Sequence, residues 1–144
     1  MSTVLLVDDD LDNLWALQLA LESGGHHVVL AQSGAEALHK VLHEMPRLIV
    51  TDWQMPEMDG DELCRRVRCQ PALAHLPIVM LSAMPEPHGP PCWSAFFRKP
   101  ADLAMLLRTV DAFVAERLAA VSAQPYAEDR AASRWRPVNP RCWP

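Results

Sequence analysis

The chain has 144 residues, of which 50% are hydrophobic and 22% are charged, and these values are typical of one ordinary globular domain. Its formal net charge of -5 provides no overall attraction for nucleic acid or for anionic lipid. No apolar run approaches the roughly 18 residues of a membrane span, and no secretory signal precedes the first apolar run, so we expect a cytoplasmic protein.

Short apolar runs alternate with amphipathic stretches in the first half of the chain. The runs predict β-strands, and apolar residues three or four positions apart predict helices. Gly24-Gly25 ends the first helix, and Ser33 with Glu36 forms a capping box that begins the second. In order, the predicted elements are a strand at Val4–Val7, a helix to Gly24, a strand at His27–Ala31, a helix after Ser33 and a strand at Leu48–Asp52.

The alternation continues in the second half, with one exception. The predicted elements are a helix at Met58–Cys69, strands at Pro77–Leu81 and Ala95–Arg98, and a long amphipathic helix from Ala101 to about Val121. The 13 residues from Ala83 to Ala95 include four prolines, each costing about 3 kcal/mol inside a helix, so we expect an irregular connection there. The overall pattern predicts an α/β fold with helices on both faces of a parallel sheet.

Carboxylates follow two of the predicted strands. Asp8, Asp9 and Asp10 come directly after the first strand, and Asp52 ends the third. The carboxyl ends of parallel strands lie at one edge of a sheet, where open α/β folds place their active sites. Clustered carboxylates repel one another unless a cation neutralises them, and oxygen ligands suit Mg²⁺. We therefore expect Asp52 to be a nucleophile beside a bound Mg²⁺.

Two further polar residues follow strands at the same edge. Ser82 comes after the fourth strand and can donate a hydroxyl to a phosphoryl oxygen, while Lys99 comes after the fifth and supplies a positive charge. Taken singly, these residues and the aspartates have ordinary explanations as strand ends, turns and helix caps. Their joint placement favours phosphoryl transfer to Asp52 through positioning and charge neutralisation.

Four separated motifs make the chain resemble the receiver (CheY-like) domain of bacterial two-component response regulators. The motifs are Val4-Leu5-Leu6-Val7-Asp8-Asp9-Asp10, Asp52-Trp53-Gln54-Met55-Pro56-Glu57-Met58-Asp59-Gly60, Pro77-Ile78-Val79-Met80-Leu81-Ser82-Ala83 and Lys99-Pro100. The resemblance implies a flavodoxin-like, doubly wound, five-stranded parallel sheet in the order 2-1-3-4-5. The helix that the family has between strands four and five is missing here or replaced by a Pro-rich loop.

The resemblance also implies the chemistry of the site. Asp52 would accept a phosphoryl group from a sensor histidine kinase or phosphotransfer protein in a phosphorelay. Asp9 and Asp52, with the backbone carbonyl of Gln54, would bind Mg²⁺ directly, while Asp8 would contribute to Mg²⁺ binding largely through water. Apart from phosphorylation and dephosphorylation of Asp52, no enzymatic activity is expected.

A conformational switch is a further implication of the resemblance. Ser82 and Lys99 would contact the phosphoryl oxygens, and Ser82 and Phe96 would move on phosphorylation. This movement would change contacts with a downstream protein that the sequence does not identify, while direct contacts with nucleic acid or membrane are not expected. The Lys99-Pro100 peptide would be cis.

The composition changes near the end of the chain. We predict a receiver domain at residues 1–121 and, at residues 122–144, a tail that contains proline, arginine and tryptophan. One hypothesis is that Trp135 or Trp143 packs over surface left by the missing helix, in the same chain or in a homodimer. The four cysteines contain no C-x-x-C pair and are interpreted as thiols.

Three other interpretations remain open at this stage. One is an interaction or dimerisation module that works without phosphorylation, and another is a receiver fragment of a larger regulator or hybrid kinase. A metal-dependent phosphatase with Asp52 as its nucleophile is the third. It would need a substrate pocket and a general acid, for which we find no clear candidate.

Overall fold

The computed structural model describes residues 2–123, and the side chains of residues 2–116. Five strands alternate with helices except between the fourth and fifth strands. The elements are β1 (Thr3–Val7), α1 (Leu11–Ser23), β2 (His27–Ala31), α2 (Gly34–Glu44), β3 (Leu48–Asp52), α3 (Gly60–Arg68), a 3-10 turn (Pro71–Leu73), β4 (Ile78–Ser82), β5 (Ala95–Arg98) and α4 (Leu103–Ala123). The sequence therefore predicted the order and type of these strands and α-helices correctly.

The five strands form one parallel sheet in the order β2-β1-β3-β4-β5. This is the predicted flavodoxin-like α/β arrangement. The central strands β1, β3 and β4 are buried on both faces, which explains their nearly continuous apolar sequences. Because all five strands run in the same direction, their carboxyl ends lie along one edge of the sheet.

The helices cover the two faces of the sheet in pairs. One apolar core contains Leu14 of α1 and Leu106 and Val110 of α4, together with alternate residues of the strands. The other core contains Val41 of α2 and Leu63 of α3, with the remaining strand residues. Burial of these apolar side chains is the main stabilising contribution to the fold.

Side-chain caps determine where two of the helices begin. The Ser33 hydroxyl accepts a hydrogen bond from the Glu36 amide at 3.1 Å, as the predicted capping box requires. The Glu36 carboxylate, however, accepts from the amide of Gln32 rather than from that of Ser33. Asp59 is the N-cap of α3, with extended backbone angles and a side chain that accepts from the helix, so α3 begins after Asp59 and not at Met58 as predicted.

Residues 83–94 connect β4 to β5 through bends and irregular backbone. Side chains hold this segment against the rest of the domain. Arg68 Nε donates a hydrogen bond to the carbonyl of Cys92 at 3.0 Å, and Trp93 Nε1 donates to Glu86 Oε2 at 2.8 Å. We call residues 83–94 the β4–β5 connection.

Trp135 and Trp143, for which we expect packing over the surface left by the missing helix, lie outside the described residues. Cys64 and Cys92 carry thiols, but Cys69 is disulfide-bonded, so the expectation of four thiols is wrong for Cys69. None of the helices within residues 2–123 is long and apolar enough to cross a lipid bilayer.

Candidate functional site

The carboxyl ends of β1 and β3 bring three aspartates together. Asp8 and Asp9 follow β1 directly, and Asp52 is the last residue of β3. Val7 and Thr51 are paired in register, so Asp8 and Asp52 are the next residues on two adjacent strands. One oxygen atom from each carboxylate of Asp8, Asp9 and Asp52 lies within 4.8 Å of the others. The prediction that these strand ends meet is confirmed.

The three aspartates differ in their environments. Asp8 and Asp52 are only 2% and 7% exposed, whereas Asp9 lies at the surface. Burial raises the pKa of Asp8 because its carboxylate loses hydration, and a hydrogen bond from the Asp10 amide only partly opposes this effect. Burial likewise raises the pKa of Asp52, although Lys99 acts in the opposite direction. The site therefore carries more negative charge than its protein surroundings stabilise.

Lys99 is the cationic side chain that contacts this acidic cluster. Its backbone amide donates to the carbonyl of Ser82 at 2.7 Å, which fixes Lys99 to the end of β4. Its Nζ atom lies 2.7 Å from Asp52 Oδ1 and 3.9 Å from Asp8 Oδ2. The side chain is 30% exposed, so the ammonium group retains access to solvent. The Lys99-Pro100 peptide is cis, as the resemblance implies.

Ser82 lies at the adjacent strand end, where it is buried. Its Oγ atom accepts a hydrogen bond from the Met84 amide at 3.0 Å. Because a serine hydroxyl can accept and donate at the same time, this contact leaves its O–H available as a donor. Ser82 also lines an open groove of about 590 Å³ between the loop after β3 and the β4–β5 connection, together with Trp53, Gln54, Met55, Met84 and Pro85.

The loop after β3 packs tightly against the end of that strand. The Trp53 amide donates to the carbonyl of Leu81, and the Gly60 amide donates to the carbonyl of Trp53, both at 2.7 Å. A Cβ atom on Gly60 would lie only 2.5 Å from the backbone oxygen of Asp52, so glycine alone permits this approach. Gln54, the expected backbone ligand of Mg²⁺, lies on this loop two residues after Asp52.

An aromatic cluster links the site to β5. Phe96 is half-buried, with its ring centroid 6.3 Å from that of Trp53 and 5.8 Å from that of Trp93. Trp53 and Trp93 meet edge to face at 5.2 Å. Trp53 directly follows Asp52, and Phe96 lies on β5. The rings of the aromatic cluster (Trp53, Trp93 and Phe96) therefore form a continuous set of contacts between the acidic residues and β5.

Sequence analysis did not single out two residues that shape this region. Trp93 completes the aromatic cluster, and its position within a Pro-rich segment gave no periodicity to identify it. Arg68 holds the β4–β5 connection through the carbonyl of Cys92. Its sequence context offered one indication, because Arg65 and Arg66 have acidic partners four residues earlier and Arg68 does not.

Comparisons with known proteins agree with this geometry. The family model of the response regulator receiver domain matches residues 4–89, more than half of the chain. An uncharacterised 14.6 kDa protein of Leptolyngbya boryana is 36% identical over 115 residues, which cover 76% of this chain and 88% of that protein. The alkaline phosphatase synthesis transcriptional regulatory protein PhoP of Bacillus subtilis is 42% identical over 83 residues, but those residues cover only 34% of its length and 58% of this chain.

Solved structures give the same result for the fold. A putative response regulator from Chloroflexus aurantiacus superimposes with a TM-score of 0.73 at 33% identity, covering 79% of this chain and 98% of that one. The chemotaxis protein CheY4 of Vibrio cholerae superimposes with a TM-score of 0.72 at 30% identity, covering 78% and 98%. With the acidic cluster at the predicted sheet edge and a family match over residues 4–89, this chain belongs to the response regulator receiver domains of two-component phosphorelays.

Proposed function

We propose that Asp52 accepts a phosphoryl group from a phosphohistidine of a sensor histidine kinase or a phosphotransfer protein. The observation that carries this proposal is the convergence of Asp8, Asp9, Asp52 and Lys99 at one edge of the sheet. A nucleophilic carboxylate, a cluster of acidic ligands and a fixed cation are the groups that phosphoryl transfer to an aspartate requires.

The transfer forms one bond and breaks another. An oxygen of the Asp52 carboxylate attacks phosphorus in line, and the electron pair of the phosphorus–nitrogen bond returns to the donor imidazole. Lys99, which pairs with Asp52 at 2.7 Å, is close enough to exchange that partner for a phosphoryl oxygen. Ser82 donates its hydroxyl to another phosphoryl oxygen. Hydrolysis of the acyl phosphate then restores Asp52.

The acidic residues fit a magnesium ion by their chemistry. Their carboxylates supply only oxygen ligands, and burial raises the pKa values of Asp8 and Asp52 even though Lys99 lies beside them. We assign Asp8, Asp9, Asp52 and the backbone carbonyl of Gln54 to Mg²⁺ binding. When bound, Mg²⁺ neutralises the charge on the phosphoryl oxygens and on the attacking carboxylate.

Ser82 and Phe96 are the proposed switch. The Ser82 oxygen accepts a hydrogen bond from the amide of Met84 in the β4–β5 connection. Phosphorylation would turn Ser82 towards Asp52 and release that amide. Phe96, which packs on Trp53 and Trp93, would then change its position within the aromatic cluster. The charge change at Asp52 would in this way alter the shape of the surface near β5.

The output surface is proposed to differ from that of other receivers. A helix normally lies between strands four and five in this family, and we propose that the β4–β5 connection replaces it here. The match to the family model ends at residue 89, inside that connection, which supports this view. The aromatic cluster and the connection would then form the surface that contacts the downstream protein.

We also propose that residues 1–121 form the receiver domain and that residues 122–144 form a separate tail. Truncation after Ala123, the last residue of α4, tests this division with the helix kept whole. The truncated chain should keep its cooperative unfolding and its reaction with a phosphodonor. Loss of both would mean that the tail is part of the folded unit.

The phosphorylation proposal is tested with a small acyl phosphate such as acetyl phosphate. Incubation with Mg²⁺ should add the mass of one phosphoryl group to the wild-type chain, and Asp52→Asn should abolish the gain. Asp59→Asn is the matched control, because Asp59 lies in the same loop region but caps α3, and it should keep the gain. No gain in the folded wild-type protein would instead support a phosphorylation-independent interaction module.

A further inference from the structure

Two thiols meet at the boundary between α3 and the β4–β5 connection. Cys64 lies on α3 and is fully buried, whereas Cys92 lies in the connection and is half-buried. Neither is in a disulfide, and Cys92 packs against the apolar core that contains Cys64, close enough for the two side chains to interact. Neither thiol contributes to the site at Asp52 as we have described it.

The surroundings make the two thiols chemically different. Interaction with the Cys92 side chain, followed by burial, raises the pKa of the Cys64 thiol, so Cys64 keeps its proton. Cys92 is half-buried and has access to solvent. The guanidinium group of Arg68 donates to the backbone carbonyl of Cys92 at 3.0 Å, which holds Cys92 beside α3. Cys92 is therefore the thiol that a small oxidant in solution reaches.

We propose that Cys64 and Cys92 are a redox-active pair which a hydroperoxide converts to an intrachain disulfide, fixing the β4–β5 connection to α3. In the first step the Cys92 sulfur attacks hydrogen peroxide and becomes a sulfenic acid, with release of one water. In the second step the Cys64 sulfur displaces the hydroxyl group from Cys92, which forms the disulfide and releases a second water. A dithiol reductant reverses the reaction by thiol–disulfide exchange.

The position of this pair gives the disulfide a structural consequence. Cys92 directly precedes Trp93, so a covalent bond at Cys92 fixes the backbone next to the aromatic cluster. The β4–β5 connection also lines the groove beside Ser82 through Met84 and Pro85. Oxidation would therefore restrict the surface that we assign to output, without using any residue of the acidic site. The inference goes beyond phosphorylation and does not depend on it.

The experiment uses the full chain with Cys69→Ser and Cys142→Ser, which leaves Cys64 and Cys92 as its two thiols. After treatment with hydrogen peroxide, the protein is denatured and its remaining thiols are alkylated with N-ethylmaleimide. We expect complete loss of alkylation, a mass lower by two hydrogen atoms, and full recovery of both thiols after dithiothreitol. Amide hydrogen exchange in residues 92–94 should be slower in the oxidised form.

Two controls keep the result interpretable. Cys92→Ser in the same background should leave Cys64 open to alkylation after peroxide treatment, since Cys64 is buried and has lost its partner. In the unsubstituted chain, cyanogen bromide cleavage after Met80 and Met84 combined with trypsin separates all three cysteines of the described region, and the linked fragments should contain Cys64 and Cys92. This second measurement does not rely on the folding of any variant.

The proposal is overturned if Cys92 is converted to sulfinic or sulfonic acid while Cys64 still reacts with N-ethylmaleimide. It is also overturned if oxidation produces only chains crosslinked to one another. Either result leaves the phosphodonor experiment unaffected, because neither thiol belongs to the acidic site. Conversely, failure of phosphorylation at Asp52 would leave the dithiol chemistry intact.

Discussion

The Nζ atom of Lys99, the residue after β5, lies 2.7 Å from Oδ1 of Asp52, the last residue of β3, although β4 separates those two strands in the sheet. The contact is possible because Lys99 is hydrogen-bonded through its backbone to Ser82 at the end of β4. Lys99 thus stabilises the buried Asp52 carboxylate in the unphosphorylated protein, and it is already placed for a phosphoryl group attached to that carboxylate.

Lys99→Met should lower the free energy of unfolding by about 1–2 kcal/mol at neutral pH, because Asp52 would lose its cationic partner in a largely buried position. Arg66→Met is the matched control, since it removes an exposed cation that pairs with Glu62 at 3.0 Å on the surface of α3. That change should cost less than about 0.5 kcal/mol. Urea unfolding measures both; equal losses would mean that the Lys99 contact has no special energetic role.

Asp8→Asn should stabilise the metal-free protein by on the order of 1 kcal/mol near pH 7. Burial raises the pKa of Asp8 in the folded state. The Asp8 carboxyl group therefore stabilises the folded state at pH values below its ordinary pKa of 3.8, and this stabilisation is lost as the pH rises through the raised pKa. The gain should therefore shrink as the pH falls towards 3.8. The hydrogen bond from the Asp10 amide persists with asparagine as the acceptor.

The measurement for Asp8 is urea unfolding in EDTA over a range of pH, with Asp12→Asn as the control. Asp12 lies at the exposed start of α1 and should give little change. A loss of stability in Asp8→Asn near pH 7 would show that burial and repulsion do not determine the net effect of the Asp8 carboxylate on the free energy of unfolding.

Mg²⁺ should raise the thermal unfolding midpoint of the wild-type protein. A ligand that binds only the folded state adds about 2.7 kcal/mol at one hundred times its dissociation constant. Asp52→Asn and Asp9→Asn should reduce this effect strongly, because each removes one of the three convergent carboxylates. Sodium chloride at matched ionic strength is the control, and an equal shift with sodium would rule out a specific divalent site.

Gly60→Ala should destabilise the domain by about 2–4 kcal/mol, because the new Cβ atom would meet the backbone oxygen of Asp52 at 2.5 Å. Gly24→Ala is the matched control. Its Cβ atom would lie 3.4 Å from the carbonyl oxygen of Leu21, which is an ordinary van der Waals distance. The control should change stability by less than about 1 kcal/mol, and a similar loss in both variants would contradict the argument from backbone proximity.

The sequence predicted the site better than its surroundings, for a physical reason. Asp52 ends a short apolar strand, Asp9 and Lys99 come just after two others, and parallel strands necessarily bring their carboxyl ends to one edge. Trp93 and Cys92 lie in an irregular connection, where no helical or strand period indicates which way a side chain points. Their contacts with Phe96 and Cys64 depend on how that connection folds back, which local patterns do not encode.

The most direct test of the central claim is to locate the phosphorylated residue chemically. After reaction with acetyl phosphate and Mg²⁺, borohydride reduction converts an aspartyl phosphate to homoserine, and mass spectrometry of peptides identifies its position. We predict homoserine at residue 52 and at no other aspartate. Homoserine at Asp8, Asp9 or Asp59, or its absence from a protein that is folded and binds Mg²⁺, would contradict the account.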